Sequence, residues 1–209
     1  MSHTLHRVKT PTGQNDDYVI LVMCHKGIND QERREHFLKY SEIFEKYNPI
    51  NMGAIRCGNL VDKTIEEVKE GLNEETPMYH AVFSDRETVI QVMKELKEKD
   101  LGYSVVVSGL LDDVACMCKE AGIQRHSVDV SLGIWGHTEK LPDQKILEIT
   151  TMCGHALVSA NLVNKMVDDI RAGKKTVHEA AIVLAKPCVC GIFNVEKAER
   201  LLSEMTEKL

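Results

Sequence analysis

The sequence predicts an α/β fold: a mostly parallel sheet of about five strands built from βαβ units, followed by a helical C-terminal part. Three observations predict it. Short Val- and Ile-rich runs alternate with segments of helical apolar spacing as far as about residue 137. Beyond Pro142 no further β-branched alternating run appears. A chain of 209 residues, 43% of them hydrophobic, is long enough to bury one core and a compact appendage.

Residues 1–17 read as a polar N-terminal arm. The run DYVILVMCHKG then predicts a buried strand ending at Gly27, and Asn29 or Asp30 predicts the cap of a helix reaching about Tyr47, with Phe37, Tyr40, Ile43, Phe44 and Tyr47 on one face. The same alternation continues. INMGAIRCG, MYHAVFS, YSVVVSGL and HSVDVSLGIWG read as strands, and DKTIEEVKEGL, DRETVIQVMKELKEKD and LDDVACMCKEAG as the helices between them. KILEITTM fits either a further strand or a helix, and helix is favoured. Helices follow over Ala156–Ala172, with Gly173 as stop, over Val177–Ala185, and from Val195 towards the C-terminus. The chain therefore divides into the arm (1–17), a sheet domain (18–137) and a helical part (143–209) that carries the cysteine motifs, with GIWGHTEKLPD as the boundary. A helical layer of this size is expected to dock on the sheet, because alone it is near the lower limit for a core.

Charge and hydropathy exclude several classes of partner. A net charge of −6 with interleaved lysines leaves no basic stripe for nucleic acid. No apolar run is long enough to span a bilayer, and the polar opening lacks the features of a secretory signal, so a cytoplasmic location is expected. The expected partners are a small-molecule substrate or a redox partner.

Seven cysteines in a chain too large to need a disulfide scaffold point to metal or thiol chemistry. In a parallel sheet, ligands bind beyond the carboxyl ends of the strands. Cys24-His25, Cys57-Gly58, Ser108-Gly109 and Ser131-Leu132-Gly133 each follow a predicted strand and are expected near one rim. Cys153, in TTMCGHALVS, and Cys188 and Cys190, in KPCVCGIFN, are expected near helix starts, where the dipole favours thiolate. Three such thiolates with a vacant position suit an iron–sulfur cluster whose open iron acts as a Lewis acid, as in a lyase or hydro-lyase on a small polar molecule. A fourth ligand from Cys24, Cys57 or His155 closes the site instead, and suits electron transfer or structural zinc.

Two other classes stay open. One is a metal-free enzyme in which Cys153 is base or nucleophile and His155 assists; the other is an electron carrier or metallochaperone. Cys116 and Cys118 lie two apart in a predicted helix, where they do not share a face, and are expected to serve packing or the helix surface. Asp112 and Asp113 fit helix N-terminal carboxylates, His25 and His137 fall in loops, His80 falls in a strand, and Trp135 either covers a ligand or buries its ring.

Met152–His155, MCGH, resembles the motif around a catalytic cysteine in the proline racemase family, and PCVCG at 187–191 resembles that family's second, Pro-Cys-Gly motif. The resemblance implies that Cys153 and either Cys188 or Cys190 are two acid/base thiols that remove and return an α-proton. It is confined to those two short stretches, and the rest of the chain lacks that family's two related halves.

Overall fold

The computed structural model describes residues 16–129 and 135–207. The chain runs β1 (Tyr18–Met23), α1 (Arg33–Glu45), β2 (Asn51–Ala54), β3 (Gly58–Asn59), α2 (Ile65–Gly71), β4 (Met78–Phe83), α3 (Arg86–Lys99), β5 (Ser104–Ser108) and α4 (Leu111–Glu120). A single 3-10 turn at Thr138–Lys140 leads to α5 (Gln144–Thr150), α6 (Ala160–Arg171), α7 (Val177–Ala185) and α8 (Val195–Thr206).

The five strands form one sheet in the order β3-β2-β4-β1-β5, and every neighbouring pair is antiparallel. This corrects the expected mostly parallel sheet of βαβ units. Strand–helix–strand units do occur: β1 and β2 run in the same direction, as do β4 and β5. Each returning strand, however, lands one position away, with β4 between the first pair and β1 between the second. The result is a split βαβ arrangement. Strand–helix alternation signals a crossover, but not whether the returning strand takes the adjacent place or leaves a gap.

The strand sequences reinforced the parallel expectation because β1 is buried on both faces. Tyr18, Ile20 and Val22 join a core with α1, α3 and α4, while Val19 and Leu21 join a second core with Val82 of β4 and helices α5–α8. The C-terminal helices thus form the third layer of an α/β/α sandwich. An antiparallel strand covered on both sides reads as a continuous apolar run, the pattern usual for parallel sheets. The fifth strand of the sheet is the two-residue β3, paired with β2. The run HSVDVSLGIWG carries no strand at 126–129 or 135–136, and its middle, with Ser131-Leu132-Gly133, lies outside the described residues.

KILEITTM is helical, as α5, with Asp143 accepting the Ile146 N–H at its start. The next helix begins later than the expected Ala156. Ala156 takes a left-handed φ of 56°, and Ser159 provides the cap by accepting from Leu162 N–H. No helix among the described residues is long and apolar enough to cross a membrane.

A partly buried ionic group ties the helical layer to the start of β1. Lys197 pairs with Asp16 at 3.0 Å, Arg200 reaches the same carboxylate at 2.7 Å, and Asn194 Nδ2 donates to Asp16 O and Ser84 Oγ. Glu148 on α5 is buried nearby, and its Oε2 has no hydrogen-bond partner among the described residues. Burial pushes the Glu148 carboxyl pKa upward, opposed by Lys197 and Arg200 and assisted by Asp16 and Glu204. A carboxyl whose folded-state pKa exceeds its unfolded value favours folding below the unfolded pKa and loses that contribution as pH rises through the folded one. Glu148→Gln should therefore gain stability relative to wild type on going from about pH 4 to about pH 7 in urea unfolding. A stability difference that does not change with pH would contradict this.

Candidate functional site

Cys153, Cys188, Cys190 and His155 come together on the face of the sheet covered by the C-terminal helices. Two loops supply them. The first follows α5: Cys153 N–H donates to Thr150 O at 3.3 Å, and Ala156 N–H returns to Cys153 O at 3.1 Å. The second joins α7 to α8: Cys188 N–H donates to Ala185 O at 2.9 Å, and Gly191 N–H closes a turn on Cys188 O at 2.8 Å. None of the three cysteines stands at a helix N-terminus, which corrects the expected origin of any thiolate character. α6 starts at Ala160 and α8 at Val195, and both are capped by other side chains, Ser159 and Asn194.

The sheet holds the second loop through one carbonyl. Gly191 O accepts from Asn51 Nδ2 at 2.5 Å and lies 3.1 Å from His80 Nε2, which must carry its hydrogen to bond a carbonyl. Both side chains are buried, and the Asn51 Oδ1 is itself fixed by Met52 N–H and Leu60 N–H. Gly191 has φ 70°, and a Cβ there would come within 2.7 Å of Asn59 Cβ. Only glycine fits this close approach without strain. The glycine after Cys190 was expected to allow a close backbone approach, as Gly191 does, whereas sequence reasoning assigned Asn51 no role at the site and took His80 for a strand residue. The available signal was a polar side chain within otherwise apolar strand runs, INMGA and MYHAVF.

The sulfurs form a chain of contacts. Cys188 Sγ is 3.8 Å from Cys190 Sγ, and Cys190 Sγ is 3.6 Å from His155 Nδ1. The three cysteines are 1%, 1% and 5% exposed in sequence order, whereas His155 is exposed. The central thiol, Cys188, is pushed strongly upward by its hydrogen bonds to Cys153 and Cys190 and by burial, so it keeps its proton. Cys153 is pushed down to about 5, first by the Cys188 hydrogen bond and then by the N–H groups of Leu157 and His155, against the cost of burial. Cys190 is pushed down to about 6 by Cys188, the Ile192 N–H and His155. The four side chains make a row and not a cage: among the described residues, no three or more His, Cys, Asp or Glu are already arranged to hold a metal ion.

The remaining candidates lie elsewhere. Cys57 is buried in the core on the opposite face of the sheet, 3.2 Å from Gly71 O, and Cys24 packs against that same core. Because the sheet is antiparallel, the ends of β1 and β2 that carry Cys24-His25 and Cys57-Gly58 lie at the opposite edge from Ser108-Gly109. The expected common rim does not form. Cys118 is buried in the first core and Cys116 is exposed. Asp113 accepts from Tyr18 Oη at 2.6 Å and Arg86 Nε at 2.9 Å, while His25, His137 and Trp135 are exposed. No protein-family model, curated protein or solved structure matches the chain.

Two outcomes follow from this geometry. Gly191→Ala should lower stability by about 1–3 kcal/mol in urea unfolding, because the methyl group meets Asn59 and the left-handed backbone becomes strained. In chelator-treated protein, the rate at which iodoacetamide alkylates the buried Cys190 should stay level as pH is lowered and decline only through about pH 6, because thiolate is the reacting form. Peptide mapping by mass spectrometry reads the rate at that residue. A decline that starts well above neutral pH would refute the depressed thiol.

Proposed function

We propose that Cys153, Cys188 and Cys190, with His155, bind one thiophilic metal ion, zinc being the best-suited class, and that the protein works in the reducing cytoplasm as a metal-dependent protein acting on a small molecule. One observation carries this reading: the spacing of the donor atoms. Zinc holds sulfur at about 2.3 Å and imidazole nitrogen at about 2.0–2.1 Å in a tetrahedron, so its S···S and S···N edges are about 3.8 and 3.6 Å long. Those are the Cys188–Cys190 and Cys190–His155 separations.

The row becomes a cage when Cys188 loses its proton and the side chains turn towards a common centre. Thiolate ligands favour soft or borderline ions, and all seven cysteines are free, in keeping with a reducing compartment. An iron–sulfur cluster, and the lyase chemistry it brings, draws less support. A [4Fe–4S] cubane, the kind that leaves one iron open, gives each thiolate its own iron, whereas 3.8 Å suits two sulfurs on one ion. The metal-free thiolate enzyme is supported by the depressed Cys190 thiol beside an exposed imidazole.

Metal analysis of protein purified without oxygen separates these readings. About one zinc per chain and no acid-labile sulfide is the expected result. Cys188→Ser should lose the metal and the thermal stability that loading confers, because metal binding couples to folding. Iron with equal sulfide would favour the cluster. No metal, even after reconstitution, would leave the thiolate enzyme.

A further inference from the structure

We propose that Cys188 and Cys190 are a site of reversible oxidation, which hydrogen peroxide converts to a Cys188–Cys190 disulfide with Cys190 reacting first. No metal ion takes part, so the inference does not rest on the reading above. The two sulfurs are 3.8 Å apart, already in van der Waals contact, and need to close to about 2.05 Å for a bond. The turn that carries them keeps them together. Cys188 N–H donates to Ala185 O at 2.9 Å, Val189 N–H to Pro187 O at 3.0 Å, and Gly191 N–H to Cys188 O at 2.8 Å. Beyond the turn, Asn51 Nδ2 pins the Gly191 carbonyl to the sheet. Closing a ring between cysteines two apart falls on the residue between them. Here that residue is Val189, 65% exposed, whose backbone can adjust without disturbing packed side chains.

The two thiols are unequal, and this sets the order of reaction. Cys188 is 1% exposed; Cys190 is 5% exposed and touches the exposed ring of His155. Cys190 is therefore the sulfur that a molecule as small as peroxide meets first. Its sulfur attacks one peroxide oxygen: the O–O bond breaks, an S–O bond forms, and the thiol proton leaves with the other oxygen as water. The Cys188 sulfur then attacks the Cys190 sulfur: the S–O bond breaks, the S–S bond forms, and the Cys188 proton leaves in a second water. Two electrons pass from the two sulfurs to the two peroxide oxygens. Disulfides in a reducing compartment are usually transient and redox-sensing, and strained ones are the easily reduced kind. The small Cys-x-Cys ring is of that kind, so a dithiol should return both cysteines to thiols.

Peptide mapping tests this on wild-type protein that has been reduced and chelator-treated, exposed to hydrogen peroxide, alkylated, and digested with trypsin without further reduction. Lys186 precedes Pro187 and is not cut, so Cys188 and Cys190 stay together on peptide 176–197, while Cys153 lies on peptide 146–165. The expected product is peptide 176–197 unalkylated and two hydrogens lighter, with both thiols restored by dithiothreitol. Cys153→Ser should form the same product. Cys188→Ser should stop at sulfenic acid on Cys190, captured by dimedone, and Cys190→Ser should slow oxidation of Cys188 by about 10-fold or more. Three results would each overturn the pair: peptide 176–197 still fully alkylated after peroxide, a disulfide to peptide 146–165 in its place, or sulfenic acid persisting on Cys190 in wild-type protein.

Discussion

Everything in this molecule depends on the burial of β1 on both of its faces. Tyr18, Ile20 and Val22 meet helices from the first part of the chain, and Val19 and Leu21 meet helices from the last part. One six-residue strand therefore ties two cores together. Burying a large aliphatic side chain stabilises by about 1.5–3 kcal/mol, and each face of β1 contributes two of them, Ile20 with Val22 and Val19 with Leu21. The sheet is the wall between the cores, and what lies on its second face decides where the C-terminal helices can sit. That face is not uniformly apolar: Asn51 and His80 interrupt it, and both are consumed by the carbonyl of Gly191. A buried polar pair of this kind loses more by being unmatched than an apolar pair loses by imperfect packing. It therefore fixes the register between the sheet and the loop carrying Cys188 and Cys190.

The elements that were legible in the sequence are those with local causes. α7 runs Val177–Ala185, as its Thr176 capping box and apolar spacing indicate, and α8 begins at Val195 behind the Asn194 cap. β1, β4 and β5 lie within their Val-, Ile- and aromatic-rich runs. What was not legible has non-local causes. Antiparallel pairing follows from β4 inserting between β1 and β2, a choice no local signal encodes. The start of α6 was displaced by the left-handed turn at Ala156, where alanine gives no warning of a positive φ.

The candidate site divides along the same line. Cys-x-Cys beside glycine, and Cys-Gly-His, are local patterns, and they drew attention to the four side chains that the fold brings together. Cys24 and Cys57 were included through the assumption of one parallel rim, and the antiparallel sheet sends them to the far side. The helix-dipole argument for thiolate also came from an assumed position. Short-range donors replace it: the S–H of Cys188 and the N–H groups of Leu157, His155 and Ile192.

This replacement bears on why three sulfurs occupy one buried place. A thiolate enclosed by Ile192, Phe193 and the α7 side chains is costly without a compensating charge or donors. The single S–H of Cys188 serves only one neighbouring thiolate at a time, so it cannot compensate two. The ion proposed above would serve all three at once. The backbone already meets part of the requirement, because the turn at Cys188–Gly191 is locked by Asn51 and His80 whether or not the sulfurs are occupied. The cysteine loop is therefore anchored to the sheet through the Gly191 carbonyl, a contact that does not involve the sulfurs. On the proposed reading, the sulfurs would close around an ion while that anchor stays in place.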